Sequence, residues 1–200
     1  MTRHHFSSYV NGKFLVITIV LLSIFSYIFY VNHTKEQNFQ QAIMLLENHN
    51  HKDRAQSIYL LTRLSEQDHP AAQYRLAELL LDSDKEKALN LLTQLAGNGN
   101  LHGLELLGLI HIEDNKIKQG YAYIHQAASQ DHPNSQLYLA MCFYSGDCGL
   151  PTDETLAFYW AQRAVINGET AAQLIVNKLT DKVSNDINEP AKHHDLINSL

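Results

Sequence analysis

Four segments recur along this chain at nearly fixed intervals: DHPAAQYRLA from Asp68, GNLHGLELLG from Gly99, DHPNSQLYLA from Asp131 and GETAAQLIVN from Gly168. Their starts lie 31, 32 and 37 residues apart. At such a period each repeat is one helical hairpin that cannot bury its apolar face alone, so neighbours must stack. Fifteen residues before each start stand Asp53, Asp84, Lys116 and Asp153. Three of the four are aspartate, whose carboxylate can cap the free N–H groups that open a helix. Four residues further on come Ser57, Ala88, Gly120 and Ala157, all small. Small side chains in phase let paired helices approach closely, while Leu76, Leu107, Leu139 and Trp160 fill the space between pairs. The expected fold is all-α, an α-solenoid of about four helix-turn-helix repeats over residues 38–179.

A second feature precedes the repeats. Phe14 to Val31 reads FLVITIVLLSIFSYIFYV, eighteen residues without a charge. As a helix it would span roughly 27 Å, close to the hydrocarbon thickness of a bilayer. Tyr27 and Tyr30 lie near one end, where amphipathic rings favour the membrane interface. The following YVNHTKEQ contains no small-x-small cleavage pattern, so an uncleaved anchor over residues 14–31 is expected rather than a removed signal peptide. Residues 1–13 carry Arg3 and Lys13 and no acid. The positive-inside rule therefore keeps this tail in the cytoplasm and sends the repeats across the membrane. Residues 181–200 are polar, contain Pro190 and read as a C-terminal tail.

Several function classes are unsupported. The net charge of -6 and the lack of a long basic run argue against nucleic acid. Two cysteines are too few for a disulfide framework. The twelve histidines include His49-x-His51 and His193-His194, but neither pair sits in a metal-binding signature such as H-E-x-x-H. His69 and His132 each precede a proline and read as turn positions, so no metal is assigned. No nucleophile stands at a recognisable spacing from a base, and no phosphate loop or EF-hand is present. The chain reads as a non-enzyme without a cofactor.

The least ordinary stretch is YSGDCGLPTDETLA, Tyr144 to Ala157. Residues 135–168 read SQLYLAMCFYSGDCGLPTDETLAFYWAQRAVING, and this resembles the Sel-one-like repeat family, relatives of the tetratricopeptide repeat. The family pattern is A-x-x-x-L-G-x-x-Y-x-x-G-x-G-V-x-x-D-x-x-x-A with a late A-A-x-x-G. Leu139 and Ala140 stand for Leu-Gly, Phe143 for the tyrosine, and Gly146 and Gly149 for the glycine pair. Asp153, Ala157, Ala164 and Gly168 match directly. Cys148 is an apparent extra residue between the glycines, Leu150 replaces valine, and the earlier repeats lack the glycine loop.

The resemblance implies assembly work. Such repeats offer a concave face, lined mainly by the first helix of each hairpin, that binds protein partners. Tyr74, Arg75, Glu78, Glu105 and Tyr138 are the candidate contacts, with plain solvated residues as the alternative reading. The implied role is a scaffold or adaptor in a bacterial envelope complex, with the repeats in the periplasm and the anchor in the inner membrane. Short anchored members also resemble immunity proteins that neutralise toxic effectors such as secreted phospholipases, which is the alternative function. Cys142 and Cys148 leave two readings open: a bridge formed if the domain is exported, or a buried thiol and a loop thiol that never meet.

Overall fold

The computed structural model describes residues 3–48 and 50–183. His49, the His193–His194 pair and the expected tail from residue 184 onward lie outside the described residues. Among the described residues every regular element is helical. They are α1 (Arg3–Glu47), α2 (His51–Ser65), α3 (Pro70–Leu80), α4 (Lys85–Gly97), α5 (Leu101–Glu113), α6 (Ile117–Ser129), α7 (Pro133–Ser145), α8 (Glu154–Ile166) and α9 (Gln173–Leu179), with a 3-10 turn at Thr170–Ala172 before the last. The order is that of an α-solenoid of helical hairpins. The chain divides into two compact units, Met1–Leu76 and Ala77–Leu200.

In the first unit, α1 runs unbroken for 45 residues, about 68 Å at 1.5 Å per residue. It contains no proline or glycine break except Gly12, and none of its residues from Val16 to Val31 is buried. A window within Val16–Glu47 has a mean hydropathy of 1.8 and is long and apolar enough to cross a membrane, a test that a signal sequence near the N-terminus also passes. The C-terminal turns of the same helix serve as the first helix of a hairpin with α2. There Ala42 is fully buried, and the Ser57 hydroxyl donates to the Ala42 carbonyl at 2.7 Å. Leu61 and Leu64 on α2 are buried as well. The anchor-like helix and the first repeat are therefore one continuous element.

In the second unit each hairpin buries a stripe at helical spacing. On α6 the buried positions are Gly120, Tyr121, Ile124, Ala127 and Ala128, one face of a 3.6-residue period. The pair α5–α6 is the tightest: a Cβ on Gly120 would lie 2.7 Å from the Gly108 carbonyl oxygen and 2.5 Å from Ile112 Cγ1. Only glycine at both positions lets these backbones meet. Around α7 and α8 the core is aromatic, with Tyr121, Phe143 and Trp160 essentially inaccessible. Each such ring contributes roughly 1.5–3 kcal/mol by leaving water. Ser57, Ala88 and Ala157 have zero exposure and Gly120 is buried.

The four recurring starts have one local cause. Asp68, Gly99, Asp131 and Gly168 all have positive φ, at 56°, 77°, 62° and 100°. In each case the next residue donates its N–H five residues back: His69 to Leu64, Asn100 to Leu95, His132 to Ala127 and Glu169 to Ala164, at 2.8–3.2 Å. This is the left-handed helix stop that satisfies the last free carbonyls of one helix. Glycine and aspartate alternate there because both tolerate the left-handed region. Pro70 and Pro133 then open α3 and α7, where a missing N–H costs nothing.

The caps differ partly from expectation. Asp84 accepts from the Lys87 N–H, and Asp153 accepts from those of Thr155 and Leu156. Asp53 is not a cap. Asn50 holds that position and accepts from the Asp53 N–H, while the Asp53 carboxylate accepts from Asn48 and Asn50. The helix thus starts two residues before Asp53, because an asparagine was available there. Lys116 stands at the N-cap of α6 without a side-chain hydrogen bond.

Candidate functional site

The expected contact residues fall on the first helices of hairpins. Tyr74, Arg75 and Glu78 lie on α3, Glu105 on α5 and Tyr138 on α7. Of these only Arg75 is exposed; Tyr74, Glu78, Glu105 and Tyr138 are half-buried.

The glycine loop between α7 and α8 is built by backbone geometry. Gly146 and Gly149 both have φ of +75°, which an L side chain rarely adopts. The Gly146 N–H donates to the Cys142 carbonyl at 2.8 Å, and the Asp153 N–H returns to the Phe143 carbonyl at 2.9 Å. Leu150 tucks into the core at 5% exposure. The two cysteines are joined as a disulfide with Cα atoms 5.3 Å apart, tying the last turn of α7 to the loop. Leu139 and Ala157 are buried in the core beside it. The signature residues Leu139, Gly146, Gly149, Asp153, Ala157 and Gly168 thus occupy core, loop, cap and helix-stop positions, and none of them offers a functional group to solvent chemistry.

A side-chain cluster that sequence reading did not single out lies where α5 meets the start of α7. His102 and Glu105 stand three residues apart on the first turns of α5, on one face. His132 is the N-cap residue of α7. One ligand atom from each, two imidazole nitrogens and a carboxylate oxygen, lie within 4.8 Å of one another. His132 Nε2 is 3.2 Å from His102 Nδ1, with the rings edge to face. His132 Nδ1 is 3.0 Å from the hydroxyl of Ser135, which is fully buried. Glu105 Oε2 is 3.9 Å from His132 Nδ1 and 4.0 Å from His102 Nδ1. Burial pushes the Glu105 carboxyl up to about 7. Burial, and then the neighbouring His102, hold His132 below the ordinary imidazole value.

The signal for this cluster was present in the repeat register. His102 stands three residues after the helix stop at Gly99, and His132 one residue after the stop at Asp131. Successive first helices pack side by side in a solenoid, so the start of one faces the start of the next. Counting residue types at the starts of consecutive repeats would have brought the three together.

With the geometry in hand, comparison with known proteins is direct. The Sel1 repeat family pattern matches residues 70–100, 105–132 and 133–169. Over 63 residues the chain is 38% identical to an uncharacterized Sel1-like repeat-containing protein of Schizosaccharomyces pombe, covering 32% of this chain and 10% of that protein. The match therefore spans about a tenth of that relative's length. Two solved structures share the fold. A protective antigen present in uropathogenic Escherichia coli strains, described as displaying an SLR fold, superposes with a TM-score of 0.60 at 20% identity, over 82% of this chain and 36% of that one. A Sel1 repeat protein from Oxalobacter formigenes superposes with a TM-score of 0.62 at 18% identity, over 82% of this chain and 70% of that one.

Proposed function

We propose that this chain, which carries Sel1 repeats over residues 70–100, 105–132 and 133–169, is a non-catalytic protein-interaction module that serves as a scaffold in a bacterial envelope complex. Sel1 repeats supply surface for partners rather than a reaction centre, and the match to them is the observation that carries this reading. The signature residues of the repeat over residues 133–169 are consumed by turn, cap and core, which leaves recognition to the first helices of the hairpins. Arg75, Tyr74 and Glu78 on α3, Glu105 on α5 and Tyr138 on α7 are the side chains proposed to meet the partner.

The proposed location is the inner membrane. The apolar side chains of α1 from Val16 to Tyr30 are exposed, with Phe25 at 70% and Leu22 at 67%. Such a continuous apolar face is far larger than a soluble monomer tolerates, and a bilayer is the solvent that fits it. Residues 14–31 then form a single span, with residues 1–13 in the cytoplasm and the repeats in the periplasm.

The test has two arms. Membranes washed with alkaline carbonate should retain the chain, and deletion of residues 14–31 should release it. A photo-crosslinking residue at Arg75 or Tyr138 in living cells should capture one partner that Gln94, exposed on the second helix α4, does not. Identical adducts at all three positions would remove the interaction reading. A deletion strain killed beside toxin-producing siblings would replace the scaffold with a dedicated inhibitor.

A further inference from the structure

We propose that His102, Glu105 and His132 form a binding site for one Zn2+ ion, clamping the first turn of α5 to the start of α7. Two donors on one tetrahedral Zn2+ at bond lengths of about 2.0–2.1 Å lie roughly 3.3 Å apart. His102 Nδ1 and His132 Nε2 are 3.2 Å apart, so the two imidazoles already hold that spacing. Glu105 Oε2 stands 4.0 Å from His102 Nδ1 and 3.9 Å from His132 Nδ1, so the carboxylate must swing toward the His132 Nε2 edge to complete the same sphere. The ion replaces the bond between the two rings.

Three further observations favour a cation here. First, among the described residues the groups paired with the Glu105 carboxylate are the two imidazoles, and no lysine or arginine answers it. Its side chain is only 15% exposed, and a carboxylate removed from water is stabilised by a positive partner. Second, His132 has the supporting contact that metal-bound histidines commonly show. With its proton on Nδ1 donated to Ser135 Oγ at 3.0 Å, Nε2 keeps its lone pair and points at His102. Third, the donors sit on rigid elements. The backbone of His132 is fixed by its N–H to Ala127 and by its carbonyl to Gln136, while Pro133 presets the next turn.

The donor set selects the ion. Two imidazoles and one carboxylate suit zinc, whereas Ca2+ and Mg2+ require more oxygen ligands. Three protein ligands leave a fourth position, and the His102 side chain is 62% exposed. That position faces solvent and accepts water or a donor from a bound partner.

The full chain in detergent, without a polyhistidine tag, is titrated with Zn2+ against a chromophoric chelator. Co2+ replaces Zn2+ in a parallel titration read by its visible bands. The expected result is saturation at one equivalent, a tetrahedral Co2+ spectrum, and a higher Tm with Zn2+ but not with Mg2+ or Ca2+. His102→Ala removes an exposed ring and Glu105→Gln is nearly isosteric, so both should fold, as metal-free melting will show. Each should weaken Zn2+ binding about tenfold or more, since even supporting contacts to a ligand are worth that much. Undiminished binding in both variants would assign the ion to other histidines, and lack of saturable binding by the parent chain would equally overturn the site.

Discussion

The same six-residue corner occurs twice, Asp68-His69-Pro70-Ala71-Ala72-Gln73 in the first unit and Asp131-His132-Pro133-Asn134-Ser135-Gln136 in the second. Both aspartates have positive φ, and both glutamines reach back eight residues to a carbonyl: Gln73 to Ser65 and Gln136 to Ala128. Their surroundings differ. His69 stacks on Phe39 with ring centroids 5.2 Å apart and faces Glu36 at 3.6 Å. His132 faces His102 and is braced by Ser135. Asp131 accepts from Arg163, Asn167 and Gln136. Among the described residues Asp68 has no such ion pair. The backbone corner is thus a fixed frame, and the elements packed over it decide whether it only turns the chain or also gathers chemistry.

The largest effect that should separate the corners lies at the glutamines. Gln136 is fully buried and holds three partners, donating to Ala128 at 2.9 Å and to Asp131 at 3.3 Å while accepting from Asn167 at 2.9 Å. Gln73, at 2% exposure, makes the single bond to Ser65 at 3.3 Å. Gln136→Leu removes three side-chain hydrogen bonds, one of them fully buried, and should cost about 2–3 kcal/mol, whereas Gln73→Leu should cost about 1 kcal/mol. Urea unfolding of the full chain in detergent measures both. Equal costs would mean that the extra partners of the second corner add nothing.

The next effect comes from the backbone. Aspartate in the left-handed region carries strain that glycine does not, and glycine offsets part of this gain through its unfolded-state entropy. Asp68→Gly should therefore stabilise by about 0.5 kcal/mol. Asp131→Gly removes the carboxylate that binds Arg163 and Asn167, so the gain should vanish or reverse. Stabilisation at both positions would show that the Arg163 pair is an idle surface contact, as exposed ion pairs often are.

Much of this frame was legible in the sequence. Asp68, Gly99, Asp131 and Gly168 mark the starts because one conformation, the left-handed helix stop, recurs at each, and few residue types adopt it. Ser57, Ala88, Gly120 and Ala157 recur because helix pairs must touch there. Asp53 misled because a neighbouring asparagine, Asn50, competes for the cap, and a single position cannot show which of two good caps wins. The His102–Glu105–His132 cluster was harder to see for a different reason. His132 lies 27 residues from Glu105 and 30 from His102 along the chain, and only stacking of successive repeats brings it to them. The continuity of α1 from Arg3 to Glu47 was also hidden, since a change from apolar to polar residues reads as a boundary even where no helix breaker stands.

A smaller effect tests the Asp131 charge through pH. The hydrogen bond from Arg163, and next that from Asn167, hold the Asp131 carboxyl below the ordinary aspartate value. A carboxyl lowered on folding adds stability above its unfolded value of about 4 and loses it as pH falls through the folded value. The difference in Tm between the parent chain and Asp131→Asn should therefore be present near neutral pH and shrink below about pH 4. A difference that stays constant across this range would assign the effect to shape rather than charge.

The smallest effect on stability should have the clearest effect on chemistry. Ser135 occupies the place held by Ala72 in the first corner, four residues after the aspartate. There the Ala72 backbone N–H donates to His69 Nδ1 at 3.3 Å, which makes Nδ1 an acceptor and leaves the proton on Nε2 whenever that ring is neutral. Ser135→Ala should give His132 the same arrangement, because the backbone corner is shared. The proton would then sit on Nε2, the atom aimed at His102, and block it as a ligand. Tm without metal should change little, while Zn2+ affinity falls about tenfold, and nitrogen chemical shifts of the imidazole should report the exchanged tautomer. Retention of both the tautomer and the affinity would show that Ser135 fills space without orienting the ring, and that the two corners differ only in what faces them.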